Sequence, residues 1–165
     1  MLANKVVVKF KDGKMLKGTT SDFFPNKNQF HLEVPGGELL DINVEDLKAI
    51  FFVKDFEGNK DRQKSYTDEI TGTGRKMQVE FSDGESIVGF TLGYSPDRQG
   101  FYLTPADAGG NNLRIFVVKS ATEKTAFISE MVRANLFQSS VARPYKHSIS
   151  HFKHFPIKRN IKART

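Results

Sequence analysis

Apolar and polar residues alternate with period two from the start of the chain. In Val6-Val7-Val8-Lys9-Phe10-Lys11, Val6, Val8 and Phe10 fall on one face and Val7, Lys9 and Lys11 on the other. That is the pattern of a half-buried strand. Met77, Val79 and Phe81 repeat the inward face, with Gln78, Glu80 and Ser82 outward. Asp12-Gly13 and Asp83-Gly84 follow, a dipeptide that supplies positive φ to a two-residue hairpin turn. Return strands are predicted over 15–22 and 86–93, each interrupted by a glycine, Gly18 or Gly89. A glycine inside a strand marks a bend where a small sheet curls on itself. Pro25-Asn26 and Pro96-Asp97 form the next turn, and third strands are predicted over 29–34 and 100–104. Pro35-Gly36-Gly37 and Gly109-Gly110-Asn111-Asn112 then precede fourth strands over 39–44 and 113–119. Fifth strands are predicted over 49–54 and 124–127.

The strands come in two sets because the chain contains an internal repeat. Residues 6–34, moved forward by 71, fall without a gap on residues 77–105. Nine positions are then identical: Val8/Val79, Phe10/Phe81, Asp12/Asp83, Gly13/Gly84, Gly18/Gly89, Thr20/Thr91, Pro25/Pro96, Phe30/Phe101 and Leu32/Leu103. Background residue usage would give about two. The same offset continues through Ile42/Leu113, Val44/Ile115, Leu47/Val118 and Lys48/Lys119. A repeat of this kind fixes architecture before any single residue is interpreted. Repeat 1 is assigned to residues 1–55, a polar linker to 56–76, repeat 2 to 77–127, and a helical, basic extension to 128–165. Each repeat, at roughly 50 residues, is marginal alone, so the two are expected to pack on each other or on the C-terminal segment. In that segment Ile128, Met131, Val132 and Leu136 have helical spacing, and a second short helix is predicted over 145–155 behind Pro144.

Charge is distributed unevenly. The 165 residues carry a net charge of +6, but residues 141–165 hold seven cations and no acid, leaving 18 basic and 19 acidic residues elsewhere. The seven are Arg143, Lys146, Lys153, Lys158, Arg159, Lys162 and Arg164. Attraction to an anionic partner must therefore be local. The tail cations interleave with Tyr145, Phe152 and Phe155, which suits phosphate contact plus base stacking. An amphipathic segment on an anionic membrane, or a basic extension docked on the barrels, would use the same residues. Within repeat 1, Lys9, Lys11, Lys14 and Lys17 stand where repeat 2 has Glu80, Ser82, Glu85 and Val88. That sign change predicts that the repeats dock with the lysines of repeat 1 against Glu80 and Glu85.

The series Val-x-Val-x-Phe-x-Asp-Gly, an apolar pair, Gly18 and an Asp/Asn-containing turn before an apolar strand resembles the first motif of Sm-like barrels, the fold of Sm proteins and bacterial Hfq. Leu47-Lys48-Ala49 and Val118-Lys119-Ser120-Ala121 sit where Hfq-type proteins carry Tyr-Lys-His-Ala. Neither copy has the aromatic and histidine of that motif, nor the Arg-Gly of the second Sm motif. Both repeats also resemble an uncharacterised bacterial family of small tandem domains. The resemblance implies an all-β protein of two tandem Sm-like small β-barrels, with RNA as the ligand class.

Catalytic machinery is not visible. Asp12 and Asp83 recur, but turn geometry explains both, and no histidine or second carboxylate recurs beside them. Gly58 to Ser65 has the cadence of a phosphate-binding loop, yet Gln63 stands where the second glycine is required. No Cys is present, which removes disulfides and thiolate metal sites. His147, His151 and His154 would share one helix face, a spacing that could hold zinc or nickel. The surrounding cations oppose a metal, so neither a metal nor a cofactor is expected. No apolar signal segment or stretch long enough to span a bilayer is found, and a cytoplasmic location is the expectation.

The chain is thus expected to be a non-enzymatic binding module. The first reading is nucleic-acid binding through Lys9, Lys11, Lys14, Lys17, Arg143, Tyr145, Lys146, Lys153, Lys158, Arg159, Lys162 and Arg164. The second is a protein-interaction or regulatory adaptor that pairs a partner strand with exposed barrel edges.

Overall fold

The computed structural model describes residues 3–58, 74–107 and 109–128. They form an all-β structure: β1 (Asn4–Phe10), β2 (Met15–Thr20), β3 (Gln29–Glu33), β4 (Leu39–Asn43), β5 (Leu47–Val53), β6 (Arg75–Phe81), β7 (Ser86–Thr91), β8 (Gly100–Pro105), β9 (Asn112–Val118) and β10 (Thr122–Phe127). The helices predicted beyond residue 128, and most of the linker, lie outside the described residues. All ten strands belong to one antiparallel sheet with the order β10-β6-β7-β8-β9-β5-β1-β2-β3-β4. This sheet is open. The two repeats are not held by the linker alone, since β5 of repeat 1 hydrogen-bonds to β9 of repeat 2.

Within the sheet each repeat has the same internal order, β5-β1-β2-β3-β4 and β10-β6-β7-β8-β9. The hairpins also match, although not as two-residue turns. Gly13 donates to the Phe10 carbonyl and Phe10 to the Lys14 carbonyl, and Gly84 and Phe81 do the same with Phe81 and Glu85. Each is a three-residue turn ending on a glycine of positive φ, +90° at Gly13 and +85° at Gly84, the arrangement of a type I turn with a bulge. The Asp12 and Asp83 carboxylates accept from the backbone N–H of Lys14 and Glu85 two residues on, which accounts for aspartate at both sites.

The offset of 71 does not persist to the end of the repeat. Phe30 pairs with Ile42 and Phe101 with Val117. Lys11 donates to Asp46 and Ser82 to Ala121. The counterpart of Ile42 is therefore Val117 and that of Asp46 is Ala121, because the loop between β8 and β9 is longer than the one between β3 and β4. This corrects the sequence pairings from Ile42/Leu113 to Lys48/Lys119. Lys48 corresponds structurally to Glu123.

The joint between the repeats explains why β5 is buried along its whole length. Ile50 and Phe52 pack with Val6, Val8, Phe30 and Leu32 of repeat 1, while Ala49, Phe51 and Val53 pack with Met77, Val79, Phe81 and Leu103 of repeat 2. Strand β9 does the reverse, sending Phe116 and Val118 into the first core and Ile115 and Val117 into the second. Alternate side chains of two adjoining strands thus feed two cores. A strand buried on both faces reads as a continuous apolar run, as Ala49-Ile50-Phe51-Phe52-Val53 does.

Candidate functional site

The lysines singled out in repeat 1 converge on the joint. The Lys9 amine lies 3.5 Å from a Glu85 carboxylate oxygen and 5.0 Å from the centre of the Phe51 ring. Lys11 donates to the Ser120 hydroxyl at 2.8 Å, and Lys17 to the Phe56 carbonyl at 2.6 Å. Only Lys14 of the four is exposed with none of these contacts to the joint. The expected meeting of repeat 1 lysines with Glu85 occurs. The expected meeting with Glu80 does not, since Glu80 is exposed and paired in register with Lys124 of its own repeat.

The strongest polar contact at the joint comes from a residue with no candidate role in the sequence. Lys48 is 5% exposed. Its ammonium sits 2.5 Å from Asp83 Oδ2, 2.5 Å from Glu85 Oε2 and 4.5 Å from the Phe81 ring centre. Burial disfavours the charged amine, but the hydrogen bonds to Asp83 and Glu85 outweigh it and raise the Lys48 pKa. The Lys48 hydrogen bond lowers Asp83. Burial pushes Glu85 up, while Lys48 and Lys9 together bring it below the ordinary glutamate value. In the sequence Lys48 is marked only by its place in Leu47-Lys48-Ala49, the segment standing where Hfq-type proteins carry Tyr-Lys-His-Ala, and it reads as a solvated strand lysine.

These directions set a pH window. The two carboxylates have depressed folded pKa values, so their contribution is complete above their ordinary range, about 4–4.5. It is lost as pH falls through the lowered values. Lys48 has a raised pKa, so its contribution is complete below about 10.4 and lost as pH rises through the higher value. Lys48→Met is expected to destabilise the protein by about 1–2 kcal/mol at neutral pH, less than a fully buried pair would cost because water reaches both carboxylates. Urea unfolding at neutral and acid pH checks this: the loss of stability on acidification should be smaller in the variant than in the wild type. An unchanged acid profile would remove the ion pair from the account.

Two recesses flank the joint. One, of about 400 Å³, has Val7, Phe51, Phe56, Ile87 and Ile115 among its lining with Lys9, Lys17 and Glu85 on its rim. The other, of about 700 Å³, is polar, lined by Asn28, Asn43, Glu45, Asp46, Arg98, Gln99 and Lys119 among others. Gln99 closes part of its wall by donating to the carbonyls of Pro25 and Lys27, and Lys119 donates to the Pro96 carbonyl.

His31 is held between two carboxylates, with Nδ1 2.6 Å from Asp22 and Nε2 3.1 Å from Asp41. The hydrogen bond to Asp22 raises its pKa. Both ring nitrogens are engaged, so the imidazole ties β3 and β4 to the loop after β2. Among the described residues no group of His, Asp or Glu could hold a metal ion, and no helix is long and apolar enough to cross a membrane. The tail candidates Arg143, Tyr145, Lys146, Lys153, Lys158, Arg159, Lys162 and Arg164, and the three tail histidines, lie outside the described residues.

The remaining surface of interest is the pair of sheet edges. Strand β4 pairs only with β3, and β10 only with β6, among the described residues. Because Val34 and Val44 donate to Glu38 and Asn28 across the β3–β4 pair, the alternate residues Leu39, Asp41 and Asn43 turn their backbone N–H groups to the open side. Leu39 is 61% exposed there.

Residues 2–129 match the model of a family described as "Family of unknown function (DUF6982)". No curated protein and no solved structure matches the chain.

Proposed function

From the premise that the chain belongs to this family of unknown function, DUF6982, we propose that it is a non-enzymatic protein-interaction or regulatory adaptor. In this reading it is built of two Sm-like small barrels fused side by side, and it works in the cytoplasm. A partner adds an extended strand to an open edge, β4 or β10, where main-chain hydrogen bonds supply affinity and alternate side chains supply selectivity. The observation that carries the reading is the contrast between the two surfaces. Lys9, Lys11 and Lys17 are already engaged at the joint, whereas both sheet edges keep unpaired backbone groups among the described residues.

Nucleic-acid binding is the second reading, and the charge distribution confines its support to the tail, with its seven cations and interleaved aromatics. Salt separates the two. Phosphate contacts weaken steeply, with a log–log slope of about 0.7–0.9 per contact, whereas edge pairing barely responds. In titrations with a single-stranded oligoribonucleotide at low salt, any affinity of the full chain is expected to disappear on deletion of residues 141–165. RNA affinity retained by the truncated chain would contradict the assignment of the repeat 1 lysines to the joint. For the adaptor reading, capture of a host protein should persist at high salt and be lost in Asp41→Pro, which removes an outward N–H from β4 without breaking its ladder to β3. Capture that survives Asp41→Pro and a matching Thr125→Pro on β10 would overturn it.

A further inference from the structure

The joint between the two repeats is a heterologous contact: a β5-type strand of one repeat pairs with a β4-type strand of the next. Among the described residues one copy of each half is left unused, β10 as the β5-type strand and β4 itself. We propose that the strand received at these edges is that of a second copy of this chain, β10 of one molecule pairing with β4 of the next. The proposal rests on the edge-pairing reading above and names its partner.

Structural equivalence fixes the register. In the internal joint Ile50 pairs with Phe116, Phe51 with Ile115 and Phe52 with Arg114. The corresponding pairs between molecules are Thr125 with Asp41, Ala126 with Leu40, and Phe127 with Leu39. Two of the three are apolar, and the exposed apolar side chain among them, Leu39, would be covered. Asp41 is a residue whose N–H faces outward, as that of Phe116 does toward β5.

Charge makes the argument more specific. Inside the molecule the β5 side supplies the cations Lys9 and Lys48 and the hairpin opposite supplies Glu85. At the outer joint their counterparts are Glu80 and Glu123 on the β10 side, and Lys14 on the hairpin opposite. All three signs are reversed, so the outer joint is complementary with the opposite polarity. Asp12 keeps the sign of its counterpart, Asp83, and stands opposite Glu123 as the one like-charged pair; its Oδ1 accepts from the N–H of Lys14, as Asp83 Oδ1 does from that of Glu85. The reversal also selects the order of assembly. Repeat 1 against repeat 1 would set Lys9 and Lys48 against Lys14, and repeat 2 against repeat 2 would set Glu80 and Glu123 against Glu85. Alternation of the repeats avoids this clash at the Lys14/Glu85 position, and juxtaposed like charges disfavour the wrong partner. A head-to-tail contact of this kind continues into a ring or a filament according to its rotation.

Sedimentation velocity on the full chain over a range of concentrations tests the proposal. The expected result is reversible association beyond the 18.6 kDa monomer, abolished by Asp41→Pro. Lys14→Glu alone, and Glu80→Lys with Glu123→Lys together, should each weaken association by about three- to tenfold, the scale of one or two exposed ion pairs. Mixing the two variants in equal amounts should restore it, because each joint is then complementary again. A wild type that stays monomeric at every concentration overturns self-assembly, as does a mixture that fails to recover. If a host protein is nevertheless captured at high salt and released by Asp41→Pro, the adaptor reading stands with a different partner. If neither occurs, both fall.

Discussion

Phe116→Ala is expected to lower the unfolding free energy by about 3–5 kcal/mol, and to do so by emptying the core of the other repeat. Phe116 belongs to β9, yet its fully buried ring lies 5.0 Å from Phe23 and 5.3 Å from Tyr102, centre to centre, both edge-on. Its neighbours in the cluster include Phe30, Leu32, Ile50 and Phe52 of repeat 1. Truncation forfeits the transfer energy of the ring and leaves a cavity that two hydrogen-bonded strands cannot readily close. The check is denaturant unfolding combined with methyl chemical shifts, which should move at Val6, Val8 and Leu32. Leu113→Ala is the control on the same strand, since Leu113 is 54% exposed, and it should stay within about 0.5 kcal/mol. A cost for Phe116→Ala below about 1 kcal/mol would mean that the cores are not shared.

Gly18→Ala and Gly89→Ala are each expected to cost about 3 kcal/mol, near the upper end for an overpacked site. A Cβ at Gly18 would stand 2.4 Å from the Glu33 carbonyl oxygen, and one at Gly89 2.4 Å from that of Thr104. Both obstacles are backbone in the neighbouring strand, so neither can rotate away. The approach of β2 to β3, and of β7 to β8, depends on these residues having no side chain. Gly93 offers the comparison: nothing lies within 4 Å of its Cβ position, and Gly93→Ala should leave the unfolding midpoint nearly unchanged. Equal and small effects at all three positions would separate the two glycines from the close approach of the strands.

The same glycines mark what the sequence made legible. Period-two alternation locates the strands, and the recurrence of Gly18 and Gly89 locates matching positions where a neighbouring backbone approaches closely, because both signals are local. The Asp12-Gly13 turn is one residue longer than the dipeptide implies, since a positive-φ glycine serves the two-residue and the three-residue hairpin equally well. The offset of 71 ends after β3 because an insertion in a loop leaves no trace once the flanking strands have diverged from Leu39-Leu40-Asp41-Ile42 to Arg114-Ile115-Phe116-Val117. The joint was written in the sequence as the contrast between Ala49-Ile50-Phe51-Phe52-Val53 and its counterpart Lys124-Thr125-Ala126-Phe127. The first is a strand covered on both sides and the second an edge. The lysine face of repeat 1 misled for a related reason. Alternation shows which residues leave their own core, but it does not show that Glu85, Ser120 and the Phe56 carbonyl arrive opposite them.

Native-state hydrogen exchange of the full chain tests the fused sheet most directly. The interior of a continuous sheet exchanges only through global unfolding, whereas edge strands open locally. The backbone amides of Ile50 and Phe52 in β5 and of Arg114 and Phe116 in β9, which face the joint, should therefore exchange as slowly as those of Val6 and Val8, and slow further together as stability rises. Fast exchange of the β5 and β9 amides, beside protected β1 and β7, would contradict the account by making the two repeats separate sheets.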